Sequence, residues 1–434
     1  MRKQKKGESG MKKLSLGIKR IEGEIIPPSD KSITHRAILV GSLANKGFRI
    51  KRALISADIL STVNCLRSLG KDIRIEGCEI HIIKGNLREA SGILDCGNSG
   101  TTARLLAGLL AAQPFYSVLD GDDSLRRRPM KRIVEPLRLM GAQIFGRQDD
   151  SFLPLSLRGG YLHGVDYELP VASSQVKSAL ILAGLLAEGT TIIREKIKTR
   201  DHLERMLQYL GVELNCENNS IRVRPQEKVD SGEITVPGDI SSAAFLISAA
   251  VMLPNSHLVI RRVNFNPTRI GFIKVLDKMG ARLSILSLEN KFNEEIADLE
   301  VKTSELKAVE IEASDIPSLV DEIPLIALLA TQAHGLTKIT GAKELRYKEC
   351  DRLHAIWVNL KRMGAKVVEL EDGLVIEGPT KLKGAKVESF NDHRIAMTMA
   401  VAATVAGGEV WIDQDDCLKI SYPDFWEHFM AVSH

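Results

Sequence analysis

The stretch LKRMGAKVVEL (360–370) decides the fold, because the chain writes it four more times: LRSLGKDIRI (66–75), LRLMGAQI (137–144), LQYLGVEL (207–214) and LDKMGARL (276–283). In each, apolar residues at helical spacing run into a glycine, and a short β-prone run follows. Glycine just past a helix is the usual left-handed terminator, because it lacks the Cβ that makes positive φ costly. The glycines Gly70, Gly141, Gly211, Gly280 and Gly364 lie 71, 70, 69 and 84 residues apart. Such a period predicts a repeat architecture whose units cover one another's apolar faces.

Between these segments stands a second kind of helix, small-residue and apolar nearly all round: SDKSITHRAILVGSLA (29–44), GNSGTTARLLAGLLAA (97–112), ASSQVKSALILAGLLA (172–187), GDISSAAFLISAAVML (238–253), VDEIPLIALLATQA (320–333) and NDHRIAMTMAVAATVA (391–406). A helix apolar on every side belongs inside a domain. β-prone runs such as TTIIRE (190–195), HLVIRRV (257–263), LTKITG (336–341) and EVWID (409–413) follow them, and YPDFWEHF (422–429) begins a terminal helix. The chain therefore reads as six units of about 72 residues, each with two helices and several mixed strands. The fold class is α/β (α+β), with two similar lobes of three units around buried parallel helices.

Composition agrees with a globular chain. It has 434 residues, 44% hydrophobic and 26% charged, long enough for two or three domains. Apolar runs such as 179–187 and 245–253, nine residues each, fall well short of the roughly twenty that a membrane span needs. A net charge of +4 with 5% aromatic residues is too little of either to mark a nucleic-acid binder. Six scattered cysteines form no CxxC pair, so zinc spacing is absent and a reducing, cytoplasmic compartment is expected. The basic start, about 1–11, lacks the apolar run of a secretory signal and reads as a disordered tail or as an upstream start preceding Met11.

The buried-helix starts carry the chemistry. Serine, aspartate and asparagine there cap orphan N–H groups, and a helix start is a ready anion site. Capping needs no cations, yet Lys31, His35 and Arg36 follow the first cap, Arg104 the second, Lys177 the third, and His393-Arg394 stand at the last. Asp321-Glu322 open the fifth helix. Arg126-Arg127-Arg128 and Lys348-Glu349-Cys350-Asp351-Arg352 precede other helices. Arginine forks pair two oxygens at once, which suits phosphate and carboxylate groups.

PSDKSITHRA, LDCGNSGTTARLL, RRPM, SSQVKSALILAGLL, DEIP, YKECDRL and NDHRIAM, in this order from about residue 29 to 423, resemble the 5-enolpyruvylshikimate-3-phosphate (EPSP) synthase family of enolpyruvyl transferases. The resemblance implies an inside-out α/β barrel of two lobes, 1–27 plus 237–434 and 28–236, with the active site in the cleft where they meet; two lobes joined by only two crossings are also expected to hinge and close on substrate binding. It implies transfer of the enolpyruvyl group of phosphoenolpyruvate to the 5-hydroxyl of shikimate 3-phosphate, with release of phosphate, in chorismate biosynthesis. Lys31, Gly100, Arg128, Gln175, Arg352 and Arg394 would hold phosphoenolpyruvate. Lys31, Ser32, Arg36, Ser173, Ser174, Gln175, Arg200, Asp321 and Lys348 would hold shikimate 3-phosphate. Asp321, Glu349 and Lys31 would move the protons. No cofactor or metal is implied, and the expected state is a monomer whose partners are these small anions, not nucleic acid or membrane.

The match has gaps. A lysine that some members carry before Tyr-Pro-Asp falls on Ile420, with Lys419 beside it, and an asparagine of some members is Glu344 here. The related transferase acting on UDP-N-acetylglucosamine carries a reactive cysteine on a loop that here, at 119–130, contains none. Cys96, just before the glycine loop, reads as a buried strand-end thiol. A non-catalytic polyanion-binding scaffold would account for the basic clusters, but not for Asp321 and Glu349 among them.

Overall fold

A computed structural model of the chain describes residues 11–226 and 229–434; the tail expectation, apart from Met11, lies outside them. The chain forms two compact units. One runs from Ser29 to Pro237 and includes Asn290–Glu294; the other takes the chain up to Pro28, Gly238–Glu289 and Glu295–His434.

The Ser29–Pro237 unit holds α1 (Lys31–Ser42), α2 (Ala57–Ser68), α3 (Gly100–Ala111), α4 (Lys131–Leu139), α5 (Ser174–Leu185) and α6 (His202–Tyr209). The other unit holds α7 (Ile240–Met252), α8 (Gly271–Lys278), α9 (Ile323–Ala330), α10 (Arg352–Arg362), α11 (His393–Val405) and α12 (Phe425–Ala431). The odd-numbered helices are the apolar ones and are almost wholly buried, each unit having its own core. The even-numbered helices present one face to solvent, and the five repeat glycines end α2, α4, α6, α8 and α10 at φ of 88°, 108°, 78°, 82° and 85°.

Each unit repeats one pattern. Leu94–Asp95 leads through α3 to a parallel partner, Tyr116–Asp120; α4 follows, then the strands Gln143–Gly146 and Phe152–Arg158, which pair antiparallel. The resulting order is 94–95, 116–120, 152–158, 143–146. The first repeat of this unit takes its outer strand, Gly232–Thr235, from the end of the unit, parallel to Phe48–Lys51. In the other unit Glu22–Ile25 joins His257–Asn264 in the same way, and Lys12–Lys13 pairs with Trp411–Ile412. Strands that return from a distant part of the chain close each unit.

Small residues let the buried helices touch. A Cβ on Gly108 of α3 would lie 2.2 Å from the Ala179 carbonyl oxygen of α5, so only glycine allows this approach. The crossings fall at 28/29 and 237/238, one residue beyond the expected 27/28 and 236/237, and a further segment changes unit. Asn290–Glu294 groups with the Ser29–Pro237 unit, where the Phe292 ring meets Tyr209 edge-on at 5.1 Å.

Candidate active site

In the Ser29–Pro237 unit the starts of α1, α3 and α5 are capped by Asp30, Ser99 and Ser173, which accept from the N–H groups of Ile33, Thr102 and Val176. Ser173 Oγ thus serves its own helix, and Ser174 is the first residue of α5. The cationic and amide side chains that follow are cross-linked. Arg36 Nη2 donates to Ser178 Oγ of α5 at 2.9 Å, and its Nη1 to the Ser32 carbonyl at 3.0 Å. Arg104 Nη1 donates to Gln175 Oε1 at 2.7 Å, while Gln175 Nε2 reaches Thr101 Oγ1 at 3.0 Å. Arg128 Nη2 bonds Asn98 Oδ1 at 2.7 Å and Ser124 Oγ at 3.0 Å. A Cβ built on Gly100 would lie 2.7 Å from Arg104 Nη1 and 3.5 Å from Arg128 Nη1. Two guanidinium groups therefore flank the N-terminus of α3, where the helix contributes roughly half a positive charge.

Lys31 forms an ion pair with Asp58 at 2.9 Å, a partner the sequence reading missed because it lies on α2. His35 is buried against Thr62, and desolvation holds it well below the usual imidazole range, so it is a neutral packing group. Two expectations change. Lys177 turns away from the helix start and is fully buried between Glu195 and Glu204. Of the arginine triplet only Arg128 joins the α3 start; Arg126 pairs with Asp120 at 2.7 Å, and Arg127 is exposed. Arg200 lies half-buried in the loop before α6.

The other unit gathers Asp321, Glu349, Arg352, Asp392 and Arg394. Arg352, the first residue of α10, is buried among three carboxylates: Asp392 at 2.7 Å, Glu349 at 2.6 Å and Asp321 at 3.3 Å. Burial opposes its charge, but the three carboxylates prevail and hold it above the usual arginine range. Asp321 does not cap α9. The N-cap is Glu322, and it makes no side-chain cap bond. Asp321 instead faces Arg352 and, at 3.7 Å, Arg394. Asp392 caps α11 by accepting from the Arg394 N–H at 2.8 Å. Desolvation pushes Lys348 below the ordinary lysine range, with Asp321 and Glu344 acting against it; the unexpected Glu344 is thus an acidic neighbour of this lysine. Lys419 is exposed and pairs with Asp416 on its own turn. Cys96 is fully buried, as expected.

Two units of buried helices whose starts collect arginines define the enolpyruvyl transferase fold. The enolpyruvyl transferase NikO from Streptomyces tendae superimposes with a TM-score of 0.76 over 96% of each chain at 16% identity. An EPSP synthase from Acinetobacter baumannii gives 0.86 at 39% identity, covering 97% of this chain and 98% of that one.

The family model for EPSP synthase (3-phosphoshikimate 1-carboxyvinyltransferase) matches residues 16–429, and the chain belongs to that family. It is 48% identical to the 3-phosphoshikimate 1-carboxyvinyltransferase of Thermodesulfovibrio yellowstonii over 94% of this chain and 96% of that one. It is 46% identical to the Bacillus subtilis protein of the same name over 96% and 98%.

Proposed function

We propose that the helix starts of both units act on one pair of substrates, and that Arg352 organises the proton transfer. The reaction is the family's: the enolpyruvyl group of phosphoenolpyruvate passes to the 5-hydroxyl of shikimate 3-phosphate, and phosphate leaves. Both substrates carry a phosphate and a carboxylate, so like charges must be neutralised before the two can react. Lys31, Arg128, Gln175, Arg352 and Arg394 take phosphoenolpyruvate, with the backbone at Gly100. Lys31, Ser32, Arg36, Ser173, Ser174, Gln175, Arg200, Asp321 and Lys348 take shikimate 3-phosphate. Arginine forks and helix dipoles supply the positive field for this.

A proton must reach the methylene carbon of phosphoenolpyruvate and another must leave the attacking hydroxyl. Addition gives a tetrahedral ketal phosphate, which loses a methyl proton and phosphate to form the product. Asp321 takes the hydroxyl proton and Glu349 serves the carbon, with Lys31 assisting the transfers. The observation that carries this is the shared guanidinium: Arg352 bonds Glu349 at 2.6 Å and Asp321 at 3.3 Å. One cation thus fixes both carboxylates, and the helix that follows Asp321 has no use for it as a cap.

We place the enzyme in the cytoplasm as a monomer with no nucleic-acid or membrane partner. The scattered free cysteines and the modest net charge support this placement. A coupled phosphate-release assay tests the reaction. Release with shikimate 3-phosphate and none with UDP-N-acetylglucosamine is expected; the reverse preference would overturn the reading.

A further inference from the structure

We infer that Glu322 is a positioning residue that sets Arg394 for phosphoenolpyruvate, through a buried polar relay joining the starts of three helices. The inference rests on the proposed role of Arg394. Glu322 stands at the start of α9, is 1% exposed, and makes no cap bond to its own helix. Its Oε1 accepts from Ser241 Oγ near the start of α7. Ser241 Oγ in turn accepts from Arg269 Nη2, and Arg269 lies 3.8 Å from Asp239, the cap of α7. The same Glu322 Oε1 lies 3.8 Å from Arg394 Nη1 on α11, and that nitrogen donates to the Asp321 carbonyl at 3.5 Å.

A carboxylate is expensive to bury without charge partners. A helix cap would be satisfied by serine or asparagine, so capping does not explain Glu322. The relay does: Ser241 Oγ accepts from Arg269 and donates to Glu322, and the same Glu322 oxygen faces Arg394. Glu322 faces Nη1 of Arg394 and the Asp321 carboxylate faces Nη2, so both ends of the fork are held.

The sign of one kinetic effect separates this role from a bulk electrostatic one. A negative charge beside an anion site weakens anion binding, so its removal alone would lower the KM for phosphoenolpyruvate. Loss of positioning raises it. Glu322→Gln is therefore expected to raise the KM for phosphoenolpyruvate about tenfold, the worth of one charge-assisted contact, and to leave that for shikimate 3-phosphate within about twofold. Its melting temperature should stay close to wild type, and Glu322→Asp should recover part of the loss. An unchanged or lowered KM for phosphoenolpyruvate overturns the inference. Should Glu322→Gln fail to fold, Ser241→Ala cuts the relay with a smaller change and must raise the same KM; no rise overturns the inference. Arg394→Lys separates the two levels. If it raises this KM while the relay variants do not, only the relay is wrong; if Arg394→Lys also changes nothing, the role of Arg394 itself fails.

Discussion

Lys177→Met is a test that reads directly on the buried charges. Lys177 Nζ lies 2.7 Å from Glu204 Oε1, 3.0 Å from Glu195 Oε2 and 3.2 Å from the Thr199 carbonyl, all inside the Ser29–Pro237 unit. Burial opposes the ammonium charge, but the two carboxylates outweigh it and raise its pKa; burial also raises that of Glu204. Methionine keeps most of the unbranched stem and removes the charge, leaving two carboxylates together in the core. Breaking a buried pair in this way costs about 3–5 kcal/mol, a large share of the roughly 5–15 kcal/mol that holds a domain together. The variant can relieve the strain by taking up protons. With an ordinary carboxyl pKa near 4.3, neutralising one group costs about 4.4 kcal/mol at pH 7.5 and about 1.6 kcal/mol at pH 5.5. A carboxyl whose folded pKa is raised stabilises the fold below its unfolded pKa, and that contribution is lost as pH rises through the folded value. The penalty relative to wild type should therefore shrink by up to about 2.7 kcal/mol per proton between pH 7.5 and pH 5.5. Urea unfolding of both proteins at both pH values measures it. An equal penalty at the two pH values would refute the reasoning, as would a specific rise in a substrate KM at pH 6, which would return Lys177 to the active site.

Desolvation places Lys348 below the ordinary lysine range, so its charge is lost at a lower alkaline pH than a surface lysine's. The KM for shikimate 3-phosphate should rise on that side, and Lys348→Arg, which stays charged, should move the rise to higher pH; superimposable profiles would contradict the assignment. Gly100→Ala puts a methyl group 2.7 Å from Arg104 Nη1, the far end of a flexible side chain. Stability should hold and the KM for phosphoenolpyruvate should rise several-fold as Arg104 leaves Gln175; a fully wild-type KM would show that this guanidinium is not part of the site.

The repeat was readable because its signals are local. A glycine after a helical run must stop the helix, and the five repeat glycines take positive φ. Helices apolar all round have nowhere to go but inside, and all six are buried. The capping residues at 30, 99, 173, 239 and 392 also follow from the sequence. What the sequence hid is non-local. Lys177 has the same spacing from its cap as a site cation, and only the fold reveals Glu195 and Glu204 around it. Asp58 has no local mark as the partner of Lys31, and Asn98, legible as part of a helix start, has none as the partner of Arg128. Glu322 looked like half of a cap with Asp321, whereas the two carboxylates part company, one to Arg352 and the other to Ser241. Strand partners drawn from the far ends of the chain, such as Lys12–Lys13 on Trp411–Ile412, carry no local mark at all.

The account turns on Asp321 acting as a base beside Arg352 and not as a helix cap, so the most direct measurement is the turnover of Asp321→Asn, which keeps the shape and removes the basic group. Positioned proton transfer contributes about a hundred- to ten-thousand-fold. With both substrates saturating and the melting temperature unchanged, phosphate release should fall at least about a hundredfold. Release within about threefold of wild type would contradict the account, because the group assigned to take the hydroxyl proton cannot be removed without slowing turnover.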